Sequence, residues 1–217
     1  MRDNQPKYRQ MRKEQRRLAR QKASRAGLPS ILIVCEGRET EPNYIDGLRD
    51  HLRVNAAAVR IETGDSTTDP VGLVRKAQQR YRSDRDYDLV YVVCDGDSNK
   101  LEAARALAAR PLRNAAGDTT RVQIMASCPS TEFWLLLHFE YSARPFQSAA
   151  EVQNSLRAHL PDYRKNNRDI FRKTAAGLDM ACQRAQQLKA ELRANGGIAP
   201  DTDMHLLVDQ FRQMQRR

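Results

Sequence analysis

Two apolar runs constrain this chain of 217 residues more than any other feature of its sequence. Ile31–Cys35 reads ILIVC and Leu89–Cys94 reads LVYVVC, and neither run contains a charged residue. A strand that is apolar at every position is covered on both faces, which is typical of a parallel sheet between two layers of helices. The sequence therefore predicts a buried central sheet that contains these two strands.

Helical and strand patterns alternate around the two runs. The spacing of apolar residues predicts helices and strands at 42–53 (helix), 59–62 (strand), 71–81 (helix), 101–109 (helix), 121–126 (strand) and 131–139 (helix). Such alternation indicates parallel strands joined by crossover helices, and hence a three-layer α/β domain with a mostly parallel sheet. Beyond Tyr141 no further strand is predicted, and helices are expected near 178–192 and 204–214.

We therefore predict three parts. Residues 1–28 form a basic N-terminal arm, residues 29–140 the α/β core, and residues 141–217 a helical C-terminal region packed on that core. The arm holds ten Lys or Arg residues against two acids, so it carries +8 of the net charge of +10. This density of charge favours contact with nucleic acid, for which we name Arg12, Lys13, Arg16, Arg17 and Arg20. A solvated tail without a partner is the alternative.

The cysteines and the lengths of the apolar runs argue against a disulfide-bonded, zinc-binding or membrane-spanning protein. Four dispersed cysteines show no CxxC pair and no zinc-ligand spacing, so all four are expected to be reduced, small buried residues (Cys35, Cys94, Cys128 and Cys182). No apolar run is long enough to span a bilayer, and no apolar stretch follows the basic N-terminus as in a signal peptide. We expect a cytoplasmic protein with no membrane contact.

Acidic residues follow the apolar runs at the points where ligands bind in parallel sheets, beyond the carboxyl ends of the strands. Glu36 comes directly after the first run, and Asp95 and Asp97 come directly after the second. Crowded carboxylates repel unless a cation neutralises them, and a site with oxygen ligands alone favours Mg²⁺ or Mn²⁺ over zinc. The alternative is that acids at strand ends cap helices, as Glu132 is placed to do near the start of its predicted helix.

Three motifs in this order resemble the RloB-like family of Toprim proteins. They are Val34–Gly37 followed by Thr40–Tyr44, then Asp95–Asp97, then Ser127–Pro129 followed by Glu132–Phe139. The resemblance extends through Tyr163–Lys165 to His205–Val208 and so covers nearly everything from about Ile31 onward.

The resemblance implies a Toprim-like core and a metal-dependent nuclease that cleaves phosphodiester bonds. It implies that Asp95 and Asp97 bind Mg²⁺ and that Glu36 joins the metal site or acts in acid–base chemistry. Glu41 resembles the second acid of nuclease-type members, and Glu132 matches a characteristic acid of RloB-like chains. These implications give the catalytic residues as Glu36, Glu41 and Glu132 and the metal ligands as Glu36, Asp95 and Asp97.

The same resemblance implies a role in defence against phage, in some cases beside a separate ATPase. This chain contains no GxxxxGK[ST] loop, so such a partner would supply any nucleotide hydrolysis. A second basic cluster near the predicted C-terminal region includes Lys165, which we assign to nucleic-acid binding, with a solvated helix face as the alternative. The competing function is a nucleic-acid-binding or regulatory subunit without catalysis.

Overall fold

The computed structural model describes residues 29–64, 69–84, 87–113, 117, 119–197 and 199–215, together with Glu14. The arm residues assigned to nucleic acid (Arg12, Lys13, Arg16, Arg17 and Arg20) lie outside the described residues. The strands are β1 (Ile31–Cys35), β2 (Val59–Thr63), β3 (Leu89–Asp95), β4 (Leu112–Arg113), β5 (Thr119–Thr120), β6 (Val122–Cys128) and β7 (Asp201–Thr202). The helices are α1 (Thr40–His51), α2 (Pro70–Asp84), α3 (Leu101–Ala108), α4 (Thr131–Leu137), α5 (Ala149–His159), α6 (Ile170–Thr174), α7 (Leu178–Asn195) and α8 (Met204–Gln215).

A five-stranded sheet with the order β2-β1-β3-β6-β7 organises the fold. Strands β1, β2, β3 and β6 are parallel, and β7 pairs antiparallel with the end of β6. This confirms the prediction of an α/β fold with a mostly parallel central sheet. Strands β4 and β5 form a separate two-stranded antiparallel pair.

Alternate residues of β1 and β3 enter two different hydrophobic clusters, which is the expected period of two for a sheet covered on both faces. Ile31, Ile33 and Cys35 face the cluster that contains α1, α4 and α5. Leu32 and Val34 face the cluster that contains α2 and α3. All five residues of β1 are fully buried, so the apolar run is explained by burial on both sides.

The helices after β1 and β3 leave the sheet on opposite faces. Helix α1 packs with the first cluster through Tyr44, Ile45 and Leu48, whereas α3 packs with the second through Ala104 and Ala108. Because β1 and β3 are neighbours, their carboxyl ends flank a crevice between diverging chain segments. In open α/β sheets this topological switch point is where ligands bind.

The C-terminal part of the chain differs from its prediction in one respect. We expected no strand beyond Tyr141, but Asp201–Thr202 forms β7 at the edge of the central sheet. That expectation was wrong because a strand of two residues is too short to show any periodic pattern. The helices near 178–192 and 204–214 are present as α7 and α8, while α5, α6 and the β4–β5 pair had no predicted counterpart.

The cysteines and two buried rings complete the description of the core. All four cysteines are free, three of them buried and Cys128 half-buried. Trp134 is fully buried in the first cluster. His138 is structural rather than exposed, because its Nε2 lies 3.0 Å from the hydroxyl of Tyr44 and burial lowers its pKa to about 3. Within the described residues, none of the helices has the length and apolarity that crossing a membrane requires.

Candidate functional site

Glu36 and Asp95 meet where β1 and β3 end. The backbone N–H of Glu36 donates to the carbonyl of Val93 at 2.9 Å, which continues the parallel ladder one residue past β1. The backbone N–H of Asp95 in turn donates to Oε2 of Glu36 at 3.0 Å. The two acids that were expected from the apolar runs are therefore neighbours at the carboxyl edge of the sheet.

Thr131 connects Asp95 to a third acid, Glu41. Its backbone N–H donates to Oδ1 of Asp95 at 2.9 Å, and its hydroxyl lies 3.3 Å from an oxygen of both Asp95 and Glu41. Because Thr131 is the first residue of α4, this bond satisfies one of the backbone donors that a helix start leaves without a partner. Glu41 itself is in the first turn of α1 and is buried.

The carboxylate of Glu41 lies directly over Gly37. A Cβ added at Gly37 would come 2.0 Å from Oε2 of Glu41, so only glycine permits this approach without a shift of the side chain. Gly37 therefore leaves room for a carboxylate beside Glu36.

These acids line an open cleft of about 620 Å³. Five of its lining residues are acidic and two are basic, and its lining is Glu36, Gly37, Arg38, Glu39, Thr40, Glu41, Asp95, Thr131, Glu132 and Lys165. Of the residues assigned from the sequence to catalysis or metal binding, Glu36, Glu41, Asp95 and Glu132 are thus brought together.

Three of the cleft carboxylates have raised pKa values. Burial, opposed by the backbone N–H of Thr131 and reinforced by the nearby charges of Glu41, Glu36 and Glu132, raises the pKa of Asp95 to about 7. Burial also raises the pKa of Glu36 and of Glu41. Crowded acids that are partly removed from water gain most from a cation that neutralises them.

Asp97 occupies a different position. It is exposed beyond the end of β3 and does not line the cleft, although its charge contributes to the raised pKa of Glu36. The turn between the two aspartates is set by Gly96, whose N–H donates to the carbonyl of Ser127 at 2.8 Å. A Cβ at Gly96 would lie 2.9 Å from the Cβ of Cys128, so a side chain there would press against β6.

Glu132 has the most partners of the cleft acids. One oxygen, Oε2, accepts a hydrogen bond from the hydroxyl of Ser130 at 2.7 Å. The other, Oε1, accepts from Nε2 of Gln153 at 2.9 Å and from the hydroxyl of Tyr163 at 3.0 Å. The ammonium of Lys165 lies 3.8 Å from the same Oε1.

Lys165 reaches the cleft from the segment that follows α5. Its side chain is 65% exposed, while its backbone carbonyl accepts a hydrogen bond from the hydroxyl of Thr40 at 2.7 Å. Its charge lowers the pKa values of both Glu36 and Glu41, against the raising effect of burial, so the ammonium acts on the cleft carboxylates. Arg168 and Arg172 of the same basic cluster are exposed and do not line the cleft.

The donor set fits a divalent cation by its chemistry. The described hydrogen bonds fall on one oxygen each of Glu36 and Asp95, namely Oε2 and Oδ1, and all the available ligands are oxygens, as Mg²⁺ prefers. Across the described residues, no three His, Cys, Asp or Glu side chains stand close enough together to form a metal cluster as they are. Binding would thus require the side chains of Glu36, Asp95 and Asp97 to turn toward a common point.

Sequence reasoning missed the residues that hold the acids in place. Thr131, Gln153 and Tyr163 contact cleft carboxylates, and Thr40 holds Lys165. Tyr163 and Lys165 both lie in the stretch Tyr163-Arg164-Lys165 through which the family resemblance extends, and that was the available signal. Thr40 likewise lies in the stretch Thr40–Tyr44 of that resemblance. Gln153 carried no signal, because an uncharged side chain on a helix has no distinctive spacing.

The family of RloB-like proteins matches residues 31–211 of the chain. This range contains every described residue of the cleft and excludes the whole of the basic arm. No curated protein and no solved structure matches the chain.

Proposed function

The chain belongs to the RloB-like family, and on that premise we propose that it is a nuclease of the Toprim type that hydrolyses phosphodiester bonds with Mg²⁺ or Mn²⁺ as its cofactor. The observation that carries the proposal is the convergence of Glu36, Asp95 and Glu41 in one cleft at the switch point of the sheet. Acids with raised pKa values in a cleft are characteristic of functional sites.

Three carboxylates would hold the metal. Glu36 and Asp95 each have one oxygen engaged in a described hydrogen bond, and Asp97 follows Asp95 by two residues. Bound there, the cation would stabilise negative charge on a phosphodiester and lower the pKa of water. The backbone N–H groups of Asp95 and Thr131 each hold one oxygen of the first two carboxylates at the cleft, and binding would turn their other oxygens and Asp97 toward the ion.

Glu41 is suited to receive a proton. It is buried, its pKa is raised, and its carboxylate is held over Gly37 close to Glu36 and Asp95. A carboxylate whose pKa is shifted toward the working pH is a better general base than one at its ordinary value. We assign Glu41 as the general base that accepts the proton of the attacking water, and Glu36 is the other acid that can share this role.

Basic residues would hold the substrate. Lys165 stands at the rim of the cleft with an exposed ammonium that can meet a phosphate. The arm, with Arg12, Lys13, Arg16, Arg17 and Arg20, would add affinity for nucleic acid without choosing a sequence. A cleavage assay with both polymers determines whether the substrate is DNA or RNA.

A role in defence against phage, with a separate ATPase as partner, belongs to the same proposal. It is supported by the family resemblance of the three motifs and by the lack of a phosphate-binding GxxxxGK[ST] loop in the sequence.

The test uses the purified full chain with single-stranded DNA, double-stranded DNA and tRNA, each with Mg²⁺, with Mn²⁺ and with a chelator. Cleavage should require the metal and should disappear in Asp95→Asn and Glu36→Gln. Asp88→Asn is a matched control, because Asp88 stands at the opposite end of β3 and likewise accepts a backbone N–H, from Ser30 at 2.7 Å. Binding without cleavage by the wild-type chain would instead support a non-catalytic nucleic-acid-binding subunit.

A further inference from the structure

Resting on the nuclease proposal, we propose that Glu132 is a positioning residue that fixes Lys165 at the cleft and does not itself bind the metal. The sequence grouped Glu132 with the catalytic acids, and its place in the cleft lining agrees with that grouping. Its contacts point to a different role, which concerns the C-terminal segment and the substrate phosphate.

The first argument is the occupancy of its two oxygens. Oε2 accepts a hydrogen bond from Ser130, and Oε1 accepts from both Gln153 and Tyr163. A carboxylate that is 3% exposed and already accepts from three donors, with both oxygens in use, has little lone-pair capacity left to coordinate an ion. Glu36 and Asp95 differ in this respect, since the described bonds occupy one oxygen of each.

The second argument is where those donors come from. Gln153 lies on α5 and Tyr163 lies in the turn after it, so one carboxylate of α4 joins two separate points of the segment 149–165. The same segment is attached again at Lys165, whose carbonyl accepts from Thr40 at the start of α1. These attachments hold the backbone on both sides of Arg164 against the cleft.

The third argument is the charge of Lys165. Its ammonium is 3.8 Å from Oε1 of Glu132, while its side chain stays 65% exposed. An ion pair at this distance with one exposed member is weak, so the ammonium can turn toward an incoming phosphate without a large loss. Glu132 thus keeps the lysine at the cleft before substrate arrives, which reduces the entropy that binding must overcome.

The affinity of the protein for Mn²⁺ shows whether Glu132 is a positioning residue or a metal ligand. Mn²⁺ binding is measured for the full chain by titration calorimetry and by the shift of the melting temperature. Asp95→Asn should abolish binding, whereas Glu132→Gln should leave the dissociation constant within about twofold of the wild type, a difference of about 0.4 kcal/mol. A loss of Mn²⁺ affinity in Glu132→Gln as large as that in Asp95→Asn would overturn the proposal.

The affinity of Glu132→Gln for nucleic acid separates a positioning role from a simple effect of charge, because the two predict changes in opposite directions. Removing a negative charge should by itself strengthen binding to a polyanion. If Glu132 positions Lys165, Glu132→Gln should instead weaken binding of short fluorescent DNA or RNA oligonucleotides by about threefold to tenfold, and Lys165→Ala should do the same. Stronger binding by Glu132→Gln would contradict the proposal.

A double-mutant cycle tests whether the two residues act together. The double variant Glu132→Gln with Lys165→Ala should bind no more weakly than Lys165→Ala alone, because the second change removes nothing further. Additive losses would show independent roles and would sink the idea. Lys100→Ala is the matched control, since Lys100 is 58% exposed and also lies 3.8 Å from a carboxylate, that of Asp69, but does not line the cleft.

Two further variants cover the case in which Glu132→Gln does not fold. Tyr163→Phe and Gln153→Ala each remove one donor and leave the charge of Glu132 in place, and both should weaken oligonucleotide binding by a smaller factor than Lys165→Ala. Unchanged binding in both would contradict the proposal. These measurements need no cleavage, so a wild-type chain that binds but does not cut would refute the nuclease and still test the role of Glu132.

Discussion

Two clusters of carboxylates in this molecule show opposite solutions to the same electrostatic problem. Asp201 of β7 and Asp203, which follows the strand, share the ammonium of Lys189, which lies 2.7 Å from an oxygen of the first and 2.6 Å from an oxygen of the second. We call this set the β7 cluster. In the cleft, the charge of Lys165 lowers the pKa values of Glu36 and Glu41, but burial outweighs it, and the pKa values of Glu36, Asp95 and Glu41 are all raised.

Under the proposed function, the difference is between a cluster that supports the fold and a cluster that is available to a ligand. Lys189 compensates one of the two negative charges of the β7 cluster within the chain, and it joins α7 to the last strand of the sheet. The cleft acids, by contrast, raise the free energy of the folded protein whenever they are ionised together, because like charges and burial both disfavour that state. A site that costs stability in the absence of its ligand is typical of function.

The largest expected effect comes from Asp95→Asn. This substitution should reduce metal-dependent cleavage to the background level, because it removes a proposed ligand at the centre of the cleft. It should also raise the free energy of unfolding of the metal-free protein at pH 8 by about 1 to 2 kcal/mol, since an amide can still accept the bond from Thr131 and carries no charge. Chemical denaturation with chelator present measures the gain.

Destabilisation of the metal-free protein by Asp95→Asn would contradict the contrast between the cleft and the β7 cluster. Such a result would mean that the charge of Asp95 is already compensated, as the charges of the β7 cluster partly are. The control is Asp201→Asn, which removes one carboxylate from Lys189 and should lower the free energy of unfolding while leaving metal-dependent cleavage per folded molecule unchanged.

The pH dependence of stability should distinguish the two clusters next. The pKa of Asp95 is raised to about 7 in the folded protein from an ordinary value of 3.8, so the folded state binds the proton more tightly. Its contribution is therefore fully present below about pH 4 and is lost as the pH rises through 7, and the loss is on the order of 2 to 4 kcal/mol. The raised pKa values of Glu36 and Glu41 act in the same direction.

Denaturation curves of the metal-free protein between pH 4 and pH 8 measure this fall, and Mg²⁺ at pH 8 should reverse it. In the β7 cluster the pKa of Lys189 is raised above 10.5, so its contribution is fully present below that pH and is lost only at more alkaline pH. A free energy of unfolding that stayed constant from pH 4 to pH 8, with and without Mg²⁺, would contradict the proposed difference between the cleft acids and the β7 cluster.

A smaller effect is expected for Lys189→Met, which keeps most of the aliphatic side chain and removes the charge. Asp201 and Asp203 would then face each other without a cation, and because the three side chains are only 15 to 28% exposed, the loss should be about 2 kcal/mol of unfolding free energy. The matched control is Lys100→Met, whose pair with Asp69 is more exposed and should contribute about 0.5 kcal/mol or less.

Much of this arrangement could be predicted from the sequence because it follows from strand ends. The apolar runs specified β1 and β3, and parallel pairing then placed Glu36 beside Asp95. The β7 cluster could not be predicted in the same way. Its strand has two residues, and Lys189 lies on α7 among other charged positions of a solvated helix, so no pattern in the sequence distinguishes it.

The position of Lys165 could be predicted from the sequence only in part. The composition of its segment showed a basic cluster, but only the fold shows that Lys165 reaches the cleft while Arg172 forms an exposed pair with Asp169. The stretch 160–169 between α5 and α6 is irregular, and an irregular backbone has no period from which the direction of a side chain can be read. Contacts with Thr40 and Glu132, distant in sequence, decide its position.

The smallest effect on stability, and the finest test of the contrast, is expected for Gly37→Ala. The new Cβ would meet Oε2 of Glu41 at 2.0 Å, but that oxygen is the end of a flexible side chain and can move aside, so the loss of unfolding free energy should stay below about 1 kcal/mol. Cleavage should fall far more than stability, because the carboxylate of Glu41 would leave its place beside Glu36 and Asp95. If Gly37→Ala instead lost stability and activity in proportion, Glu41 would be supporting the fold, as Lys189 does, and the cleft would contain fewer acids kept for the reaction.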